Sequence, residues 1–196
     1  CLGISGGWTP AVHLFTQSGG KLSFDEENKV FLPNKYPSKQ ISIGSCNGDF
    51  EISEIIKNLS KNLKDFLKIE QTDFDNINVD SYEEKPKRNI WLLPSDKPIG
   101  KTKPFVDYQN DATAKDIKLA LREGFRSIEH VKRYTTTGMG TDQGKLGNMH
   151  ALGIIADTAG VKMGELGTTT FRPPYTPLTF GTIVGRNVGK FFDIFR

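Results

Sequence analysis

The stretch FVDYQNDATAKDIKLALREGFRSIEHVKRYTTTGMGTDQGKLGN, residues 105–148, decides the fold. Thr113 with Asp116 three residues later is a capping box, in which each side chain answers a backbone N–H left open at a helix start. Ile117, Ala120 and Leu121 recur at a spacing that places them on one face, which predicts a helix over 114–123. Gly124 then supplies the left-handed residue on which many helices end. A second helix follows, with Ser127 as cap, Ile128 and Val131 on one face, and Lys132 and Arg133 at the negative pole of the backbone dipole. The run TTTGMGTDQGKLGN is too rich in Gly, Thr, Asp and Asn to continue it and predicts an ordered loop. Beyond that loop, residues 149–158 predict a third helix, capped by Asn148, ended near Gly160, with Leu152, Ile155 and Ala156 inward.

Working outward toward the N-terminus, residues 1–69 read as the closing part of an α/β nucleotide-binding domain. Cys1 to Ser5 is a short apolar strand, residues 8–20 an irregular excursion, and LSFDEENKVFLP a hairpin with Leu22 and Phe24 on one arm and Val30 and Leu32 on the other. ISIGSCNGDF, residues 41–50, reads as a strand, a Gly-rich turn and the start of a helix that runs over 49–69. Ile52, Ile55, Ile56, Leu59, Leu63, Phe66 and Leu67 form its apolar stripe. A strand, a Gly turn and a helix start together make an anion site, because free N–H groups of the first turn point at the ligand and Gly44 and Gly48 let the backbone approach. The plain alternative is that the glycines only turn the chain.

Residues 70–103 change from acidic to basic and Pro-containing, which marks a linker, with Ile90 to Leu93 sticky enough to dock as a short strand. Residues 171–196 read as an extended arm, enforced by Pro173, Pro174 and Pro177. The apolar opening CLGISGG and the ending FFDIFR read as interior segments of a longer polypeptide. At 36% hydrophobic and 25% charged residues, with a net charge of +3 and bases scattered among acids, the composition favours a soluble chain with no nucleic-acid face and no membrane span. Two cysteines, Cys1 and Cys46, are too few for a disulfide scaffold and point to a reducing cytoplasm. His13, His130 and His150 lack metal-ligand spacing, Cys46 lacks a redox partner, and no serine sits in a nucleophile elbow, so no residue is assigned a catalytic role.

SGGWTPAVHLFTQSGGKL from Ser5, the GSCNG turn from Gly44, the residues 105–145 and GTTTFRPPYTPLTFG from Gly167 together make the chain resemble the α-subunit family of heterotetrameric sarcosine oxidases. The resemblance implies a disulfide-reductase-like scaffold that holds NAD, a helical middle domain, and a C-terminal aminomethyltransferase-like domain that binds tetrahydrofolate. It implies β, γ and δ subunits as partners, with FAD and a covalently attached FMN on the β subunit, the FMN close to this subunit. The complex would demethylate sarcosine oxidatively to glycine with release of hydrogen peroxide, and the isolated chain would be inactive. On this resemblance residues 1–69 close the NAD scaffold, 70–103 link, 104–170 form the helical domain and 171–196 lead into the folate domain. Gly44, Asn47, Gly48 and Asp49 then become candidate NAD contacts.

The helical module also resembles the cluster-binding domain of bacterioferritin-associated ferredoxins, with its cysteine positions falling on Asp107, Gln109, Asp142 and Gly147. Carboxylate, amide and hydrogen do not replace four thiolates around iron, so no iron–sulfur cluster is expected. Lys132, Arg133 and Lys145, with Thr135 and Thr136, are candidates for the FMN phosphate, against the alternative of a solvated helix end. Two rival readings remain: the subunit of another N-methyl amine or opine dehydrogenase, and a ferredoxin-like electron-transfer module.

Overall fold

The computed structural model describes residues 7–37, 39–80, 90–172 and 176–191, which leaves the strand expected at Cys1 to Ser5 and the pair Pro173-Pro174 outside the described residues. In chain order the elements are α1 (His13–Gln17), a hairpin of β1 (Lys21–Asp25) and β2 (Val30–Lys35), a 3-10 turn (Gly44–Asn47), and α2 (Ile52–Leu67). A small hairpin of β3 (Phe105–Asp107) and β4 (Ala112–Thr113) then leads directly into α3 (Ala114–Arg122) and α4 (Ile128–Thr135). These are followed by α5 (Asn148–Ala159), α6 (Met163–Leu166) and α7 (Phe180–Val184).

The helical unit forms where its local signals place it. The Asp116 carboxylate accepts from the Thr113 backbone N–H at 2.9 Å and from its hydroxyl at 2.7 Å, which closes the capping box, and Gly124 follows α3 at φ 98°. Ala114, Ile117 and Ala120 on α3 and Ile155 on α5 are each 0% exposed. The two alanines let α5 lie close enough for the aliphatic side chains to interlock, and burying each large one contributes about 1.5–3 kcal/mol. Val131 of α4 and Leu152 of α5 complete the same cluster.

The β1–β2 hairpin closes this cluster from the other side. It is antiparallel, with Phe24 opposite Phe31 and Asp25 opposite Val30, and the two phenyl rings lie 4.9 Å apart. Phe31 belongs to the buried cluster, and Leu22 and Phe24 pack against it, so one core runs across the segments expected to be separate domains.

Several expectations are corrected. Residues 13–17 are helical rather than irregular; α1 has no side-chain cap and is held by burial of His13 and Phe15. Residues 41–43 form no strand, because both sheets of the described residues are isolated antiparallel pairs that offer no neighbour there. Helix α2 starts at Ile52, not Asp49, and ends at Leu67 on left-handed Lys68. Its apolar stripe is only half-buried, with Ile52, Phe66 and Leu67 exposed.

The expected linker is anchored at both ends. Asp75 pairs with Lys64 of α2 at 2.8 Å and accepts from the buried Ser60 hydroxyl. The Lys64 and Ser60 hydrogen bonds hold its carboxyl well below the usual range. Ile90 to Leu93 form no strand, yet Trp91 and Leu92 pack against the core. The indole lies over Gly153 of α5, edge-on to His150 at 6.3 Å. The C-terminal arm is not wholly extended, since α7 forms behind a Thr179 cap whose hydroxyl accepts from the Thr182 N–H at 3.3 Å.

Gly153→Ala places a methyl group where the Trp91 indole now sits. Expelling that ring should cost about 1–3 kcal/mol in chemical denaturation and shift tryptophan emission to longer wavelength. Unchanged emission and midpoint would show that the indole does not depend on that contact.

Candidate functional site

Two features of the helical unit bring remote parts of the chain together. The first is the meeting of the β3–β4 hairpin with the loop after α4. Asp107 is 6% exposed, and its carboxylate accepts from the N–H groups of Gln109 at 2.9 Å, Asn110 at 3.0 Å and, across the loop, Gly138 at 2.7 Å. Gln109 accepts from the Thr141 hydroxyl at 3.1 Å, Asp142 accepts from the Gly144 N–H at 3.1 Å, and Gly147 lies against the Val106 carbonyl. The four positions that correspond to cluster cysteines in the ferredoxin resemblance thus have local hydrogen-bonding or close-packing roles. Among the described residues there is no group of three or more His, Cys, Asp or Glu side chains that could hold a metal.

The second feature is a strap, residues 168–172, held almost entirely by side chains. At Thr170 the N–H donates to Glu129 at 2.6 Å and the carbonyl accepts from Lys132 at 3.3 Å. Two residues on, the Arg172 N–H donates to the Gln143 side chain at 2.7 Å, and its carbonyl accepts from Gln17 of α1 at 2.5 Å. Between these points the Phe171 ring lies 3.8 Å from the His13 imidazole, centroid to centroid. Thr169, 4% exposed, accepts from the Asn148 amide at 3.0 Å, and the same amide donates to the Gln143 carbonyl at 3.2 Å. Asn148 therefore opens α5 as its first residue and works as a long-range tie rather than as the expected cap.

Electrostatics follow from this packing. Burial, and then the nearby Lys145 charge, bring the His13 pKa down from 6.5 to about 4, so the imidazole is neutral at pH 7. Burial pushes Glu129 up, but the Thr170 N–H and the Lys132 and Arg133 charges outweigh it and hold the carboxyl below its usual value. His13, Lys145, Asn148, Thr169 and Phe171 share the wall of a cavity of about 40 Å³, room for a few waters.

The candidate cofactor residues are arranged differently from expectation. Gly44 and Asn47 lie in the 3-10 turn with Gly48 just after it, so a turn forms where expected, but Asp49 lies ahead of α2 rather than at its start. Inside this turn the Gly48 N–H donates to the Ser45 carbonyl at 3.2 Å and the Asp49 N–H to the Gly44 carbonyl at 3.3 Å. The cap of α2 is itself a carboxylate: Glu51, 7% exposed, accepts from the Glu54 N–H at 2.9 Å. A nucleotide phosphate does not fit at this helix start, because a negative group already occupies it. Lys132 and Arg133 both pair with Glu129, at 3.9 and 2.9 Å, while Lys145 lines the His13 cavity, so the three do not form one phosphate cradle. Thr135 and Thr136 serve the end of α4, the Thr135 hydroxyl donating to the Val131 carbonyl at 2.8 Å and Thr136 taking the left-handed cap.

Sequence reasoning missed Glu129, Gln143 and Gln17. Their partners are backbone groups 41, 29 and 155 residues away, and only the spacing of Glu129 to Lys132 and Arg133 hinted at a role.

Asp107→Ala leaves three N–H groups without their acceptor and should cost about 2–4 kcal/mol in denaturant unfolding, with faster hydrogen exchange at Gly138; Asp107→Asn should lose less. His13 binds a proton more readily when unfolded than when folded, so its contribution to stability is complete above pH 6.5 and is lost as pH falls from 6.5 toward 4. Urea midpoints should fall between pH 7.5 and pH 5, and His13→Gln should flatten that fall; equal slopes in both proteins would exclude His13 as the cause.

Comparison with known proteins accounts for the whole chain. Residues 101–186 match the family described as the sarcosine oxidase A3 domain. The sarcosine oxidase alpha subunit of Rhizobium meliloti (strain 1021) is 36% identical over 206 aligned residues, covering 100% of this chain and 20% of the relative. An opine oxidase subunit of the same organism is 34% identical over 73 residues, 37% of this chain and 16% of the relative. Among solved structures, the L-proline dehydrogenase of P. horikoshii superposes with a TM-score of 0.64 at 20% identity, over 92% of this chain and 38% of that one, a likeness of fold alone. Among the described residues no helix is long and apolar enough to cross a membrane. The chain spans about a fifth of the length of the sarcosine oxidase alpha subunit it matches; it is similar to that subunit over its whole length, and its residues 101–186 match the sarcosine oxidase A3 domain.

Proposed function

We infer that this chain is the middle of an amine oxidoreductase subunit, and that it acts as scaffold and interface in a multi-subunit enzyme that oxidises sarcosine to glycine. The observation that carries this is that the whole chain aligns with the alpha subunit of a sarcosine oxidase. In this reading the enzyme is cytoplasmic, the β, γ and δ subunits complete it, and the flavin chemistry takes place on the β subunit. The one-carbon unit passes to tetrahydrofolate in a domain beyond residues 171–196. The helical unit is read as a ferredoxin-type module whose cluster positions serve hydrogen bonds and packing instead.

In this reading the chain does not grip a nucleotide phosphate by itself, since Glu51 caps the start of α2 and Glu129 pairs with Lys132 and Arg133. What its residues do is positional: Asp107 ties hairpin to loop, and Glu129 with Lys132 fixes the strap that leads toward α7.

A second reading, part of an opine oxidase, is favoured by the 73-residue alignment to the opine oxidase subunit. Oxygen uptake by the complete complex separates the two. Turnover of sarcosine well above that of an N-carboxyalkyl amino acid is expected, and the reverse preference would replace the first reading with the second.

A further inference from the structure

The strap is bound as a peptide ligand is bound. Over Thr170 to Arg172 its backbone groups are met by four side chains, Glu129, Lys132, Gln143 and Gln17, which come from α4, the following loop and α1. Alternate polar attachment with a ring between is the pattern by which a groove recognises an extended segment: backbone hydrogen bonds give grip and one pocket gives register. Here the pocketed ring is Phe171, stacked against His13. Both backbone groups of residue 170 and both of residue 172 are engaged, whereas Thr170 and Arg172 themselves stay exposed. The groove thus holds the Phe171 ring between two exposed residues.

We propose that residues 168–172 form a latch that docks in this groove and leaves it as one unit. The physical ground is that the attachments share geometry. Phe171 enters its pocket only when the peptide units on both sides are aligned, and each aligned unit places the other within reach of its side chains. Losing one anchor therefore weakens the other, which is the coupling expected of groups in one network. The anchors are also partial by construction. Glu129 and Lys132 are at once partners of each other, so when the strap leaves they keep an ion pair instead of exposing two unpaired charges. An undocked state consequently carries no stranded buried charge, the feature that would otherwise forbid it.

The test is hydrogen exchange with residue-level fragmentation on the complete subunit in its complex, comparing the wild type with Glu129→Ala and Gln17→Ala. Each substitution removes one anchor, and the informative amide is the remote one. Glu129→Ala should speed exchange at Arg172 about tenfold or more, and Gln17→Ala should do the same at Thr170, while α3 amides keep their protection. If Glu129→Ala disturbs α3 as well, Gln17→Ala decides alone, since Gln17 is half-buried and outside the core cluster. A change confined to Thr170 in Glu129→Ala, with Thr170 unmoved in Gln17→Ala, would overturn the latch and leave two independent anchors.

Discussion

The contact between α3 and α5 is the constraint on which the rest depends. Ala114 and Ala120 remove bulk from one face of α3, and Ile117 and Ile155 fill the space between the helices so completely that none of the four is exposed. Three further parts are attached to the outside of that seam: α4 through Val131, the β1–β2 hairpin through Phe31, and the 90–93 segment through Trp91. Because interiors pack at near-crystalline density, the seam fixes the ends of its helices, and those ends are where the loop and the strap are tied.

The polar ties divide the labour with that core. Asp107 and Asn148 are nearly buried, and each joins segments far apart in the sequence through hydrogen bonds to partners on the other segment. A buried group of this kind contributes modestly when satisfied but costs much when a partner is lost, so these ties select one arrangement of the loop over others. This suits a chain whose proposed work is to hold larger parts of an oxidoreductase in register.

How much was legible in the sequence depends on how local the governing physics is. Helices α3, α4 and α5 and the β1–β2 hairpin were readable because helical spacing, turn residues and, for α3, the capping box lie within a few positions of what they control, although Ser127 makes no side-chain cap bond at α4. Helix α1 was not readable, since its five residues have no cap signal and are helical because His13 and Phe15 are buried. The strand expected at residues 41–43 failed for the opposite reason: its apolar, β-branched residues fit a strand, but a strand also needs a neighbour. Asn148 shows the same limit, a residue with a local preference for capping that long-range partners claim instead. For the site, Lys132, Arg133 and Lys145 were picked out as charges, but the groups that set their roles, Glu129 and the Thr170 backbone, emerge only from the fold.

The anchoring of the 70–103 excursion bears on how the chain tolerates changes in length. Asp75 is fastened to α2, and Trp91 is fastened to α5 over a glycine that leaves room for no other side chain. The chain between these two fixed points is a closed loop, and the entropy of closing a loop rises only with the logarithm of its length, about 0.6 kcal/mol for each doubling. Insertions between Asp75 and Trp91 are therefore thermodynamically mild, whereas Trp91 itself is held to one place by its seat on Gly153. Within one apparent linker, one of the fixed points is a single aromatic ring.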